Sequence, residues 1–196
     1  MIILKLDFEK AFDTIEHPAI LQMLEHTGFP QRWINWISSI LSTGTSAVIM
    51  NGVPGRKFKC KRGVCQGDPL SPLIFVLSVE LLQILINRAA SQGLLCPPIP
   101  QGNADYPVIQ YANHTLLIMQ ADARQLFFLK ALLRSFSDST GLKVNYSKSQ
   151  MLPINVSQDR MQILANTFGC QIERSRSHTS DYPWAQQSHA WKTTLL

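Results

Sequence analysis

Apolar and polar positions alternate along this chain with two periods, and each change of period marks an element. Val108-Ile-Gln-Tyr111 and Leu116-Leu-Ile-Met119 flank the polar pair Asn113-His114, the pattern of a β-hairpin whose tight turn displays those two side chains. Ile2-Ile-Leu-Lys-Leu-Asp7 reads as a short buried strand ending in a carboxylate, and residues 8–13 as a turn or helical start. A helix is predicted over 18–26, with Pro18 in its first turn and Gly28 as its stop. In a second helix, over 30–42, Trp33, Trp36, Ile37, Ile40 and Leu41 fall at i, i+3, i+4, i+7 and i+8. That stripe places both tryptophans in the core and argues against a stacking platform for bases. Two strands over 45–50 and 57–60 are joined by a Gly/Pro turn at 51–55, and a long apolar helix covers 70–90. Residues 91–106 read as a loop. An amphipathic helix follows over 122–139, carrying Leu126, Leu129, Leu132, Leu133 and Phe136 and ended by Gly141. Residues 141–149 then give a strand, a turn and a second strand, and 156–168 a last helix. Beyond Gly169-Cys170 the periodicity is lost, so 171–196 is expected to be disordered. The pattern is that of one α+β domain.

Composition narrows this only a little. The chain has 196 residues, 45% of them hydrophobic, enough for one domain with a sizeable core. No uninterrupted apolar run approaches the roughly 18–20 residues that span a bilayer, and the first residues lack a signal-peptide pattern. The expectation is an intracellular chain, nuclear or cytoplasmic, without a membrane partner. Cys60, Cys65, Cys96 and Cys170 are scattered without CxxC spacing, which favours free thiols over a zinc site. The net charge of +5 says less than its distribution: Arg56, Lys57, Lys59, Lys61 and Arg62 lie within seven residues that hold no acid. Such a patch can meet phosphates, and it can equally be a solvated loop.

Three further positions carry candidate chemistry. An acid at the end of a core strand, Asp7, is either a functional carboxylate or a helix-capping one, because an unpaired charge there is expensive to desolvate. The loop 62–73 places Gly63, Gly67, Pro69 and Pro72 ahead of the apolar helix, and its glycines let backbone approach a ligand beside Gln66 and the basic patch. Lys143 and Lys148 can reach a phosphate or stay solvated.

Leu4-Lys-Leu-Asp-Phe-Glu-Lys-Ala-Phe-Asp13, Gly63-Val-Cys-Gln-Gly-Asp-Pro-Leu-Ser-Pro72, Tyr111-Ala-Asn-His114 and Gly141-Leu-Lys-Val-Asn-Tyr-Ser-Lys148 occur in an ordered series. In order and spacing they resemble the palm motifs of reverse transcriptases, specifically those of plant LINE-type (non-LTR) retrotransposons, over about residues 4–170. The resemblance implies an antiparallel palm sheet backed by helices, RNA-templated DNA synthesis, and an RNA template, RNA/DNA hybrid and dNTP as partners. It also implies a two-metal site of hard anionic oxygens holding Mg²⁺. By resemblance Asp7 is the first metal ligand and Phe8 offers a backbone carbonyl. Glu9, Lys10 and Ala11 pass the backbone near the triphosphate, and Phe12 falls at the steric gate that excludes a ribose 2′-hydroxyl. Gln66 and Gly67 line the nucleotide and template pocket, while Lys148, or Lys143 in its place, meets the phosphates.

The chain departs from that family at the hairpin. Where the family carries Tyr-Ala-Asp-Asp, this sequence reads Tyr111-Ala-Asn-His114. Asparagine supplies a neutral oxygen and histidine a nitrogen that Mg²⁺ disfavours, so metal binding is expected to be weak or absent and polymerisation lost. By the same resemblance the fingers segments and most of the thumb are expected to be absent, leaving apolar faces uncovered and stability doubtful. Residues 180–194 can be back-translated so that another frame gives a family-like Gly-Leu-Pro-Met-Gly stretch, which points to a frameshift near Cys170. Three readings stay open: an inactive palm fragment of a decayed element, a non-catalytic RNA/DNA-binding protein, and an active polymerase needing a partner for its missing segments.

Overall fold

The computed structural model describes residues 1–65, 67–98, 106–111 and 114–173. At its centre is β1 (Ile2–Asp7), whose alternation buries Ile2, Leu4 and Leu6 completely and leaves Ile3, Lys5 and Asp7 part-exposed. On one side β1 pairs antiparallel with β7 (His114–Met119), from Ile2 opposite Met119 to Asp7 opposite His114. On the other it pairs antiparallel with β8 (Gln150–Pro153). β6 (Val108–Tyr111) closes the hairpin on β7, and β9 (Gln171–Ile172) adds a parallel edge to β8, giving the order β6-β7-β1-β8-β9. The expected α+β architecture, an antiparallel-rich sheet with helices, is present.

The buried face of β1 and β7 joins one core with α2 (His17–His26), α4 (Ser71–Ser91), α5 (Ala123–Thr140) and α6 (Gln158–Phe168), through residues such as Leu24, Leu82, Leu129, Phe136 and Phe168. α5 ends at Gly141 as expected, and its first residue is Ala123 because Asp122 serves as its cap. The Asp122 carboxylate accepts from the N–H groups of Arg124 (2.8 Å) and Gln125 (3.1 Å), and Gly141 ends the helix at φ 78°. By length and average composition alone α4 could cross a bilayer, although Ser78, Glu80 and Gln83 interrupt it and no continuous apolar run spans it, as expected. It serves here as a core helix burying Ile74, Phe75, Val79, Leu82 and Ile86, with Leu73, Val76 and Ile84 left exposed on its outer side.

Several expectations need correction. The tryptophans are not core: on α3 (Gln31–Thr43), Trp33 is 38% and Trp36 51% exposed, and the buried stripe is Ile34, Ile37 and Leu41. Each outer residue is followed directly by an inner one (Trp33-Ile34, Trp36-Ile37, Ile40-Leu41), so periodicity alone leaves two adjacent stripes, and packing selects the aliphatic one. The predicted pair of strands at 45–60 is instead an arm of two short ladders, β2 (Thr45–Ser46) with β5 (Phe58–Lys59) and β3 (Ile49–Met50) with β4 (Val53–Pro54). Asn51 (φ 50°) and Gly52 (φ 81°) reverse it in the left-handed pair that a tight hairpin requires. Expected disorder from 171 onward begins too early, because Gln171 and Ile172 belong to β9. The Gln171 N–H donates to the Ser149 carbonyl (3.1 Å) and the Glu173 N–H to that of Met151 (3.0 Å). A two-residue edge strand is too short to leave a period in sequence. Residues 174–196 lie outside the described residues.

Candidate active site

Asp7 is held by its backbone from the far strand's turn. Its N–H donates to the Ser149 hydroxyl (3.2 Å), its carbonyl accepts from the Asn145 N–H (2.8 Å), and the Ser149 hydroxyl donates to the Asn145 carbonyl (2.7 Å). Asn145 shapes that turn, its side-chain oxygen accepting from the Ser147 hydroxyl (2.7 Å) and the Lys148 N–H (3.2 Å). Ser149 is fully buried. Neither Asn145 nor Ser149 was singled out in sequence; the turn-forming Asn was the available signal. Lys148, exposed, adjoins Ser149 and so lies on the turn that clamps Asp7.

Beyond Asp7 the chain turns sharply. Phe8 bridges to Val144 through the Glu9 N–H and the Asp7 carbonyl, a pattern that does not use the Phe8 carbonyl, while the Phe8 ring is buried 6.3 Å from that of Phe136. Lys10, at φ 42°, starts α1 (Ala11–Thr14), and its carbonyl accepts from the Asp13 N–H at 2.7 Å. Ala11 is buried. Phe12 stacks on Phe75, ring centres 5.0 Å apart, and lines a cleft of about 700 Å³ with Asp13, His17, Arg62, Asp68 and Ser71. Glu9 instead lines a separate groove of about 530 Å³ with Lys143, Lys130, Arg134 and Tyr146. Glu9 and Phe12, both expected near the nucleotide, therefore line different concavities.

The glycine-bearing loop packs on this turn at one point. The Gly63 N–H donates to the Ile15 carbonyl (2.7 Å), the Val64 N–H donates to that of Phe12 (2.6 Å), and His17 Nε2 meets the Gly63 carbonyl at 2.8 Å. Gly67 is exposed at φ 93°. Arg56, Lys57, Lys59, Lys61 and Arg62 are all exposed on the arm and its base. Gln66 and Asn113 lie outside the described residues.

His114 is described, and it is not a turn residue: it opens β7 and stands directly across from Asp7. Its Nδ1 is 3.7 Å from the Asp7 carboxylate, within reach of an ion pair if the imidazole is protonated and too long for a hydrogen bond. The ring is 39% exposed and Asp7 18%, yet Nδ1 itself is buried without a hydrogen-bond partner among the described residues.

Comparison with known proteins places this geometry. Residues 1–178 match the family described as reverse transcriptase (RNA-dependent DNA polymerase). The chain belongs to the reverse transcriptase family. It is 32% identical over 157 residues to the Pol polyprotein of a type-1 R2 retrotransposable element from Popillia japonica, covering 79% of this chain and 21% of that protein. It is 29% identical over 147 residues to the R2DM Pol polyprotein of Drosophila melanogaster, covering 74% and 13% respectively. The chain thus spans about a fifth of the length of the first of these Pol proteins and about an eighth of the second. Among solved structures, Candida albicans telomerase superposes with a TM-score of 0.59 at 16% identity, over 80% of this chain and 27% of that one. Apo telomerase of Candida tropicalis gives 0.58 at 16% over 80% and 31%. At these identities the likeness is one of fold.

Reverse transcriptases as a family use divalent metal ions, so the donor set can be tested against one. Among the described residues no group of three or more His, Cys, Asp or Glu could hold a metal ion. The side chain facing the single carboxylate Asp7 is an imidazole, whose nitrogen suits transition metals and not Mg²⁺. The described donors do not fit a pair of Mg²⁺ ions.

Proposed function

We propose that this chain is the palm of a plant LINE-type reverse transcriptase that has lost its two-metal site and, with it, polymerisation. One observation carries the reading: across the sheet from Asp7 stands His114, at 3.7 Å, where two-metal chemistry needs hard anionic oxygens. With Asn113 beside it in sequence, two of the three expected carboxylates are replaced, and one carboxylate holds one Mg²⁺ weakly. The nucleotide-contact roles assigned by resemblance to Phe8, Glu9, Lys10, Ala11, Phe12, Gln66, Gly67 and Lys148 belong to the same proposal. The bridge that spares the Phe8 carbonyl and the turn that carries Lys148 beside Asp7 support two of them. What remains is binding: RNA template or RNA/DNA hybrid met by Arg56, Lys57, Lys59, Lys61 and Arg62, all exposed.

Primer extension on an RNA template with Mg²⁺ or Mn²⁺ tests the proposal. The expected result is no incorporation by the purified chain; robust incorporation would refute the loss of activity. Hybrid binding should persist and weaken steeply with salt, and salt-insensitive binding would remove the role given to the arm.

A further inference from the structure

From residue 26 to residue 67 the chain has no acidic residue and six basic ones: Arg32, Arg56, Lys57, Lys59, Lys61 and Arg62. The whole chain has 18 Lys and Arg against 13 Asp and Glu, which leaves twelve against thirteen elsewhere. All of the molecule's net positive charge therefore resides in this one segment, which comprises α3, the arm and the loop that returns from it.

The same segment exposes aromatic rings. Trp33, Trp36 and Ile40, at i, i+3 and i+7, form the outer stripe of α3, with Trp36 and Ile40 each about half exposed (51% and 50%). The Arg32 guanidinium lies 4.9 Å from the centre of the Trp36 ring, so a cation is already placed on the indole. The stripe does not end in open solvent. Ile40 lines the 700 Å³ cleft together with Ser46, Cys60 and Arg62, and the Cys60 N–H donates to the Gly44 carbonyl (3.1 Å), tying the end of α3 to the base of the arm. From Trp33 to Ile40 the helix rises roughly 10 Å, about three nucleotide steps at roughly 3.4 Å each.

We infer that the Trp33/Trp36 stripe and the arm's basic residues form one track for a single-stranded polynucleotide, running along α3 into the cleft that holds Phe12. Along α3 and the arm, before the cleft brings in Asp13 and Asp68, the formal charges are all positive, which selects a polyanion over a protein partner of mixed charge. Exposed indoles select unpaired bases over a duplex, whose bases are already stacked on one another. The inference shares the basic arm with the proposed function and is independent of the metal site.

The test is fluorescence anisotropy of the full chain with end-labelled oligouridylate RNA, oligothymidylate DNA and a duplex of equal length, across a salt series. Both single strands should bind more tightly than the duplex. Trp33→Ala and Trp36→Ala should each weaken single-strand binding about tenfold, equivalent to ~1.4 kcal/mol per stacked base, with duplex binding unchanged. Trp36→Lys separates stacking from charge: the track predicts weaker single-strand binding, whereas a purely ionic surface predicts tighter. Trp36 is half exposed, so circular dichroism melts of its variants should match the parent, which keeps an affinity loss there from being read as unfolding, whereas Trp33 also packs on the Phe29 ring, centres 5.7 Å apart. Unchanged single-strand affinity in the tryptophan variants would overturn the inference. So would a tryptophan-dependent change of sedimentation without a change in RNA affinity, which would make the stripe a protein interface. Incorporation in the primer-extension assay would refute the loss of activity and leave the track standing.

Discussion

At Gly63 a single hydrogen atom decides whether the loop before α4 can reach the turn that follows Asp7. The residue sits at φ 78°, and a Cβ there would lie 2.8 Å from the carbonyl oxygens of both Phe12 and Asp13. Gly67, at φ 93°, would meet nothing within 4 Å. Gly63→Ala should therefore lower stability by clearly more than ~1 kcal/mol, combining left-handed strain with backbone overlap, while Gly67→Ala loses only the strain, ~1 kcal/mol. Urea titrations of the two variants check the order. Cysteine reactivity is set at the same scale. Burial pushes the Cys170 thiol up to about 11, from an ordinary value of 9.0, whereas Cys65 and Cys96 are exposed. Alkylation under mildly alkaline conditions, read by peptide mass spectrometry, should label Cys65 and Cys96 well before Cys170. The folded thiol holds its proton longer than the unfolded one. Its contribution to stability is thus complete below pH 9 and is lost as the pH rises toward 11.

Elements differ in how much of the molecule depends on them. β1 is flanked on both sides and buries Leu4 completely, so Leu4→Ala should cost about 2–5 kcal/mol. Replacing the cap of α5, Asp122→Ala, should cost about 0.5–2 kcal/mol, because two N–H groups lose their acceptor. Thermal melts of the two variants give the comparison. The strand was legible in sequence from its short apolar run, and the helix from its period and Gly141, whereas Asp122 fell inside the expected helix and only the structure makes it the cap. The orientation of α3 was not legible, since two adjacent apolar stripes satisfy the same period and only the neighbouring α2 and arm decide which is covered. The arm's division into two short ladders was likewise hidden, because two-residue strands carry no period to read.

For the whole molecule, the exchange at the hairpin affects stability as well as chemistry. Asp7 and His114 are directly opposed across two strands, where like charges destabilise by roughly 0.2–1 kcal/mol. His114→Asp should therefore lower the melting temperature in EDTA, and Mn²⁺ should restore it in the Asn113→Asp/His114→Asp variant, since a ligand bound only to the folded state stabilises it. The parent chain should melt alike with or without Mn²⁺; a clear metal-dependent rise in the parent would contradict the proposed loss of the site. The sequence by itself determined the central strand, the hairpin, the long helices, the ordered motifs that define the family, and the substitution of Asn and His for two carboxylates. These are local matters of period, turn chemistry and residue type. Only the tertiary structure set His114 against Asp7, divided Glu9 and Phe12 between two concavities, clamped Asp7 through Ser149, and turned the tryptophans of α3 outward. Each of those depends on which distant segments pack together, and a pattern along one chain does not encode that partner.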